Sequence, residues 1–246
     1  MDEQQHRATQ GSTMMVPAAI VIAGALIAGA VYFGSQRDAS GVTSPAEARQ
    51  EEAKLLAALD TMTPVTSDDH IRGNPEAPVK IVEYSDTECP FCKNFHATMQ
   101  EVMKEYGASG KVAWIYRQFP LVQLHSKAPK EAEATECAGE LGGPDAFWAY
   151  LDRLFEVTPS NDGLDMAELP KIARYVGLDE GKFNACLALG AQAKRVEEDA
   201  NNAMATGGNG TPWSIVVAKN GKKYPLSGAQ PYASVKELIE RALQER

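Results

Sequence analysis

A mixed α/β fold, with the order βαβ, helical insertion, ββα, is predicted by three features of this 246-residue chain. The first is a β-branched run, VKIVEYSD (79–86), followed by apolar positions at helical spacing (Phe95, Met99, Val102, Met103, Tyr106) up to Gly107, and then by a second strand-like run, KVAWIYRQF (111–119). The second is a long stretch of helical segments between residues 120 and 206. The third is TPWSIVVAKNGKKYPLSG (211–228), two strand segments around Asn220-Gly221 that read as a type I′ hairpin, with the amphipathic YASVKELIERALQER behind them.

Composition agrees with a globular chain: 44% of residues are hydrophobic, enough to supply a core. The formal charge of -9 includes no basic cluster, which argues against a nucleic-acid partner. Residues 14–33, MMVPAAIVIAGALIAGAVYF, carry no charge. At about 1.5 Å per residue they match a hydrocarbon layer of about 30 Å. Gly, Ala and Pro are frequent there and no polar face is present, which argues against a buried core helix. A transmembrane anchor over 14–34, with residues 1–13 as a short cytoplasmic N-terminus, is preferred to a cleaved signal peptide. The alternative rests on the Ala28-Gly29-Ala30 triplet, but the apolar run continues through Phe33. Orientation is weakly encoded, with Arg7 on one side and Arg37 on the other. Residues 35–75 read as a polar stalk containing one exposed helix, capped by Ser44 with Pro45 at its first position and a narrow stripe of Leu55, Leu56 and Leu59.

The compact domain is expected over residues 76–246, with its insertion at about 122–207. Helical segments there are KEAEATECAGEL, then DAFWAYLDRLFEV after Gly142, Gly143 and Pro144, then DMAELPKIARYVGL interrupted by Pro170, and a last segment interrupted by Gly190. Phe147, Trp148, Tyr150, Leu151, Leu154 and Phe155 are candidates for the insertion's core, or for the lining of a peptide groove.

At the corner of the first strand and helix stands ECPFCKNFH (88–96). A cysteine at a helix N-terminus meets unpaired N–H groups and the positive end of the helix dipole, which favour a thiolate at Cys89, while Cys92 lies one turn further in. Pro90 suits the first turn because it has no N–H to lose there. Zinc would need a second CxxC or an HxxxH beside His96, and neither occurs. Haem attachment would need histidine where Lys93 stands. Two unreactive core thiols are the bland alternative. Neither a metal nor a cofactor is expected. His96 reads as a solvated helix position, His125 is placed by nothing in the sequence, and Asp86 and Glu88 are either loop acids in solvent or groups that tune the thiolate.

NPEAPVKIVEYSDTECPFCKNF, the helical insertion and GNGTPWSIVVAKNGKKYPLSG together resemble the DsbA-like thiol-disulfide oxidoreductases over residues 72–246. The resemblance implies a thioredoxin-like fold with an inserted helical subdomain. It implies Cys89 as the exposed nucleophile and Cys92 as the resolving thiol of a redox-active disulfide, with Thr211-Pro212 as a cis-proline dipeptide that binds substrate. Pro-Phe between the cysteines and Thr before the proline depart from the best-known oxidase pattern.

With Cys89 and Cys92 paired, Cys137 and Cys186 remain, either as a structural disulfide or as buried thiols. A bridge of this kind persists outside the reducing cytosol and supports an extracytoplasmic domain on a single-pass anchor, the alternative being secretion after cleavage. The expected function is formation of disulfides in exported, cysteine-containing polypeptides, with a membrane redox partner. The alternatives are an extracytoplasmic reductase or isomerase, and a non-catalytic thioredoxin-fold binding module.

Overall fold

The structure, a computed structural model, describes residues 45–245. The expected anchor over 14–34 and the residues on either side of it lie outside the described residues. The chain divides into two units, residues 1–51 and 52–246, and apart from the start of the first described helix the description below concerns the second. Among the described residues no helix is long and apolar enough to cross a membrane.

After helix α1 (Pro45–Leu59), a short strand β1 (His70–Gly73) leads to β2 (Val79–Ser85), helix α2 (Pro90–Val102) and β3 (Val112–Gln118). The insertion holds α3 (Ala128–Val157), α4 (Glu168–Tyr175), α5 (Glu180–Leu189) and α6 (Ala193–Ala205). Strands β4 (Trp213–Val217) and β5 (Lys223–Ser227) and helix α7 (Tyr232–Gln244) close the domain. The strands form one sheet in the order β1-β3-β2-β4-β5. Only β2 and β3 run parallel, from Val79 opposite Val112 to Ser85 opposite Gln118. Buried on both faces, these central strands carry the near-continuous apolar sequence such positions demand.

The side-chain alternation of β2 divides the core. Val79 and Ile81, with Trp114 and Val216, face Phe95 and Met99 of α2 and Val235 and Ile239 of α7. Val82 and Tyr84, with Ile115 and Ile215, face Leu59, Met62 and Ala203. A separate cluster of Cys137, Tyr150, Leu154, Ile172 and Phe183 stabilises the insertion.

Glycine punctuation acts where it was expected. Gly143 (φ 76°) breaks α3 into two segments at Pro144, and Gly190 (φ 61°) ends α5 in the left-handed conformation. The β4–β5 connection differs from the expected type I′ turn. The Gly221 N–H bonds the Ala218 carbonyl at 2.9 Å, and of the two turn residues only Gly221 has positive φ, 86°. This is a three-residue loop with a glycine bulge.

Three further expectations are corrected. The polar segment after α1 is no stalk up to residue 75, because β1 pairs antiparallel with β3 and Leu59 and Met62 are buried against the sheet. Arg117, buried in β3, ties this segment down through Asp69 at 2.8 Å and the Thr63 carbonyl at 3.0 Å. Among the proposed insertion-core residues, Phe147, Trp148, Leu151 and Phe155 belong instead to the main core, with Trp148 4.8 Å from Trp114. His96 is buried, its Nε2 2.7 Å from Asp152, because its position on α2 faces α3 rather than solvent.

Leu59→Ala is expected to lower the unfolding free energy by about 2–4 kcal/mol. Urea denaturation checks this. A midpoint equal to that of the parent chain would restore the stalk reading of this segment.

Candidate active site

Strand β2 ends at Ser85 and α2 starts at Pro90, so four residues turn the chain from sheet to helix. Asp86, buried in this turn, holds it from several sides. Its Oδ1 accepts the Glu88 N–H at 2.8 Å, and its Oδ2 accepts the Leu121 N–H at 2.7 Å and lies 3.0 Å from His125 Nδ1. Burial opposes a charge on His125, but the bond to Asp86 and the negative charges of Asp86, Cys89 and Asp162 together outweigh it and raise the histidine's proton affinity. Asp86 and Glu88 are therefore buried rather than solvated.

Cys89 is the N-cap residue of α2, with Pro90 in the first turn. Its side chain, read as exposed, is only 5% accessible. Its Sγ lies 3.5 Å from the Thr211 carbonyl, while the side chain of Phe91 points outward at 62% exposure. The Thr211-Pro212 bond is cis. Trp213 pairs with Tyr84 at the end of β2, which brings the preceding proline to the edge of the sheet beside Cys89.

Cys89 and Cys92 are free thiols, and Cys92 is fully buried. The hydrogen bond from Cys92 lowers the Cys89 thiol to about 6, burial opposes this, and Thr211 together with the Cys92 and Phe91 N–H groups adds to it. Burial pushes the Cys92 thiol far up, and its bond to Cys89 pushes it further. The Asp86 N–H lies 3.4 Å from Cys92 Sγ. The pair is thus divided into one thiolate and one thiol. The thiolate sits at the mouth, and the thiol that stabilises it is behind.

Glu83 lies beneath Cys92 in β2. Burial raises its carboxyl to about 7, against the lowering influence of Ser85 and of the Trp114 Nε1–H, which donates to Oε2 at 2.9 Å. A charge on this carboxyl opposes a thiolate at Cys92 and pushes that thiol further up. Sequence reasoning passed over Glu83, although a single acid on the inward face of an apolar strand is a legible signal. Glu131, buried against Glu88, was also missed, and nothing in its local sequence marks it.

Cys137 and Cys186 lie apart from this site, joined to each other across 49 residues between α3 and α5.

A half-ionised dithiol at a helix N-terminus, facing a cis-proline on a thioredoxin-like fold with a helical insertion, is the arrangement of the DsbA-like thiol-disulfide oxidoreductases. Residues 65–241 match the thioredoxin family, described as "Thioredoxin", and the chain belongs to it. Among solved structures it is similar to Pseudomonas aeruginosa DsbA2, at 25% identity and a TM-score of 0.61, over 74% of this chain and 100% of that one. It is likewise similar to oxidised BdbD from Bacillus subtilis, at 25% identity and a TM-score of 0.65, over 75% of this chain and 97% of that one. A curated relative, the Na(+)/H(+) antiporter NhaA 3 of Salinispora tropica, is 37% identical over 183 residues, 73% of this chain. The match spans only 26% of the antiporter's length.

Two outcomes follow from this geometry. Replacing Cys137 and Cys186 together by alanine is expected to lower stability by up to roughly 4 kcal/mol in the chain-entropy account. Thermal unfolding of the variant reads it, and an unchanged transition would contradict it.

Glu83→Gln is expected to remove a pH dependence. A carboxyl whose folded value is raised to about 7 stabilises the fold fully below its unfolded value and loses that contribution as pH rises through 7. The glutamine variant, measured in the reduced state, should gain on the parent as pH rises from about 4.5 to 7, by at most about 3 kcal/mol. A constant difference between the two proteins over that interval would show that Glu83 is not so perturbed.

Proposed function

We propose that this chain is a membrane-tethered thiol-disulfide oxidoreductase that forms disulfides in exported, cysteine-containing polypeptides. The observation that carries the reading is the division of the dithiol, with Cys89 lowered to about 6 beside the Thr211-Pro212 backbone and Cys92 buried behind it. Family membership and the likeness to DsbA2 and BdbD support the same chemistry. An apolar groove of about 730 Å³ supports a polypeptide substrate. Its wall includes Phe119, Leu121, Val122, Leu124 and Met204, and Leu121 is itself bonded to Asp86 in the active-site turn.

In the oxidising direction the enzyme starts with a Cys89–Cys92 disulfide. A substrate thiolate attacks Cys89 Sγ, forming a mixed disulfide and breaking the Cys89–Cys92 bond. Cys92 leaves as a thiolate and takes a proton, for which Glu83, a buried acid whose charge acts on Cys92, is the proposed donor. A second substrate thiolate then attacks the substrate sulfur of the mixed disulfide and releases Cys89 as a thiolate. The substrate loses two electrons and the enzyme gains them. A membrane redox partner of the disulfide or quinone class accepts those electrons and restores the disulfide.

Stabilisation of the released Cys89 thiolate favours this direction, because the strongest oxidants of the fold have a stabilised reduced form. Phe91 favours the second reading, a reductase or isomerase, since it supplies no donor to the thiolate from between the cysteines. The potential of the couple separates the two. A value well above about -270 mV, the thioredoxin range, supports an oxidase. A value at or below it, with Cys89 held reduced in cells, supports a reductase. The tether over residues 14–34 is tested by alkaline extraction of membranes, which should leave the full chain in the pellet. Recovery in the soluble fraction would favour a cleaved, secreted protein.

Cys92→Ala should accumulate mixed disulfides with exported proteins, and Cys89→Ala should not. Trapping through Cys92 in the Cys89→Ala protein would reverse the two roles. A chain that neither reduced insulin nor oxidised a dithiol peptide would be a binding module instead.

A further inference from the structure

Glu88 and Glu131 meet at the back of the active-site turn, and the exchange chemistry above uses neither. Both side chains are inaccessible to solvent, and none of their four carboxyl oxygens has a hydrogen-bond partner of ordinary geometry among the described residues. Two buried carboxyl groups in contact can satisfy each other only when one is protonated and donates to the other. Burial first, and then the interaction with Glu88, raise the Glu131 carboxyl to about 9, against the lowering influence of Thr87. One proton between the two carboxyls leaves one negative charge.

Among the described residues neither carboxyl forms an ion pair with a cation. Lys127, the N-cap residue of α3, donates to the carbonyls of Asp162 and Leu164, and Lys130 donates to Glu133 and the Leu187 carbonyl. His125 is engaged by Asp86, and the Asp162 carboxylate by the N–H groups of Ser126 and Lys127. Glu88 is joined by one peptide bond to Cys89, and its carbonyl is held by the Asn161 N–H at 2.8 Å. The group whose charge changes with redox state is the Cys89 thiolate, on the residue that follows Glu88.

We propose that Glu88 and Glu131 are positioning residues for the redox couple: they share a single proton, and the charge left on the pair opposes the Cys89 thiolate and makes the dithiol less oxidising than the start of α2 alone would make it. The inference rests on the proposed function only in taking Cys89 as the thiol that exchanges. Its physical basis is like-charge repulsion in a medium of low effective dielectric, which disfavours the reduced, thiolate-bearing form.

Two substitutions separate charge from shape. Glu131→Gln keeps the pair's hydrogen bond, with the amide donating, and leaves the charge on Glu88. Adding Glu88→Gln removes the charge while preserving the side-chain volumes. The ultraviolet absorbance of the thiolate, followed against pH, and the equilibrium of the couple with glutathione are the readouts. The double variant should titrate at lower pH than the parent and oxidise glutathione more favourably, by about threefold or more, and Glu131→Gln alone should match the parent. A double variant that titrates and equilibrates like the parent overturns the proposal. If it fails to fold, the infrared redox difference spectrum of the parent decides. A protonated-carboxyl band that shifts between dithiol and disulfide and disappears in Glu131→Gln supports the pair, and its absence refutes it. Neither readout needs a polypeptide substrate, so a failure of trapping in Cys92→Ala would sink the proposed function and leave this test standing.

Discussion

The interaction between the two sulfurs of the dithiol lowers the Cys89 thiol and raises the Cys92 thiol, and the surrounding architecture bears on which of them keeps the proton. A thiolate at Cys89 is favoured by its place at the N-cap of α2, where the backbone is extended, φ -78° and ψ 121°, and where the Phe91 and Cys92 N–H groups, unpaired within the helix, lower the thiol. A neutral thiol at Cys92 requires exclusion of water, and the packing of α2 on the sheet provides it. Were Cys92 solvated, its bond to Cys89 would compete with water and the asymmetry between the two sulfurs would shrink.

The helical insertion takes part in holding this arrangement. Lys93, one residue after Cys92, donates to the Thr158 carbonyl at 2.6 Å, which ties α2 to the end of α3. The loop that follows contains three consecutive non-glycine residues in the left-handed region, Ser160, Asn161 and Asp162, with φ of 66°, 56° and 60°. Each is disfavoured by about 1–2 kcal/mol. Their compensation is local: the Asn161 N–H bonds the Glu88 carbonyl, and the Asp162 carboxylate accepts the Ser126 and Lys127 N–H groups. The strained loop thus braces the active-site turn on one side and the start of α3 on the other.

Much of this was legible in the sequence, for identifiable reasons. Strands β2 and β3 are buried on both faces and so read as continuous apolar runs, while Gly143 and Gly190 mark breaks because only their backbones adopt the required conformation without strain. The CPFC motif falls at a strand-helix corner, and its meeting with Thr211 follows from the resemblance rather than from spacing. What was missed depends on distant partners. Strand β1 is four residues long, and the pairing that makes it a strand comes from β3. His96 looks like any polar helix residue until Asp152 arrives from α3. Glu131 sits among alanines and acids that suggest an exposed helix face, yet the turn 43 positions earlier buries it.

The central claim, that Cys89 is a thiolate at neutral pH because Cys92 and the first turn of α2 stabilise it, is tested most directly by the pH dependence of alkylation in the reduced protein. Site-resolved mass spectrometry after brief exposure to iodoacetamide would give the rate at Cys89 separately from that at Cys92. The account predicts a rate at Cys89 that rises with a midpoint near pH 6, with Cys92 unreactive throughout. A midpoint near that of an ordinary thiol, about 8.5, would contradict it.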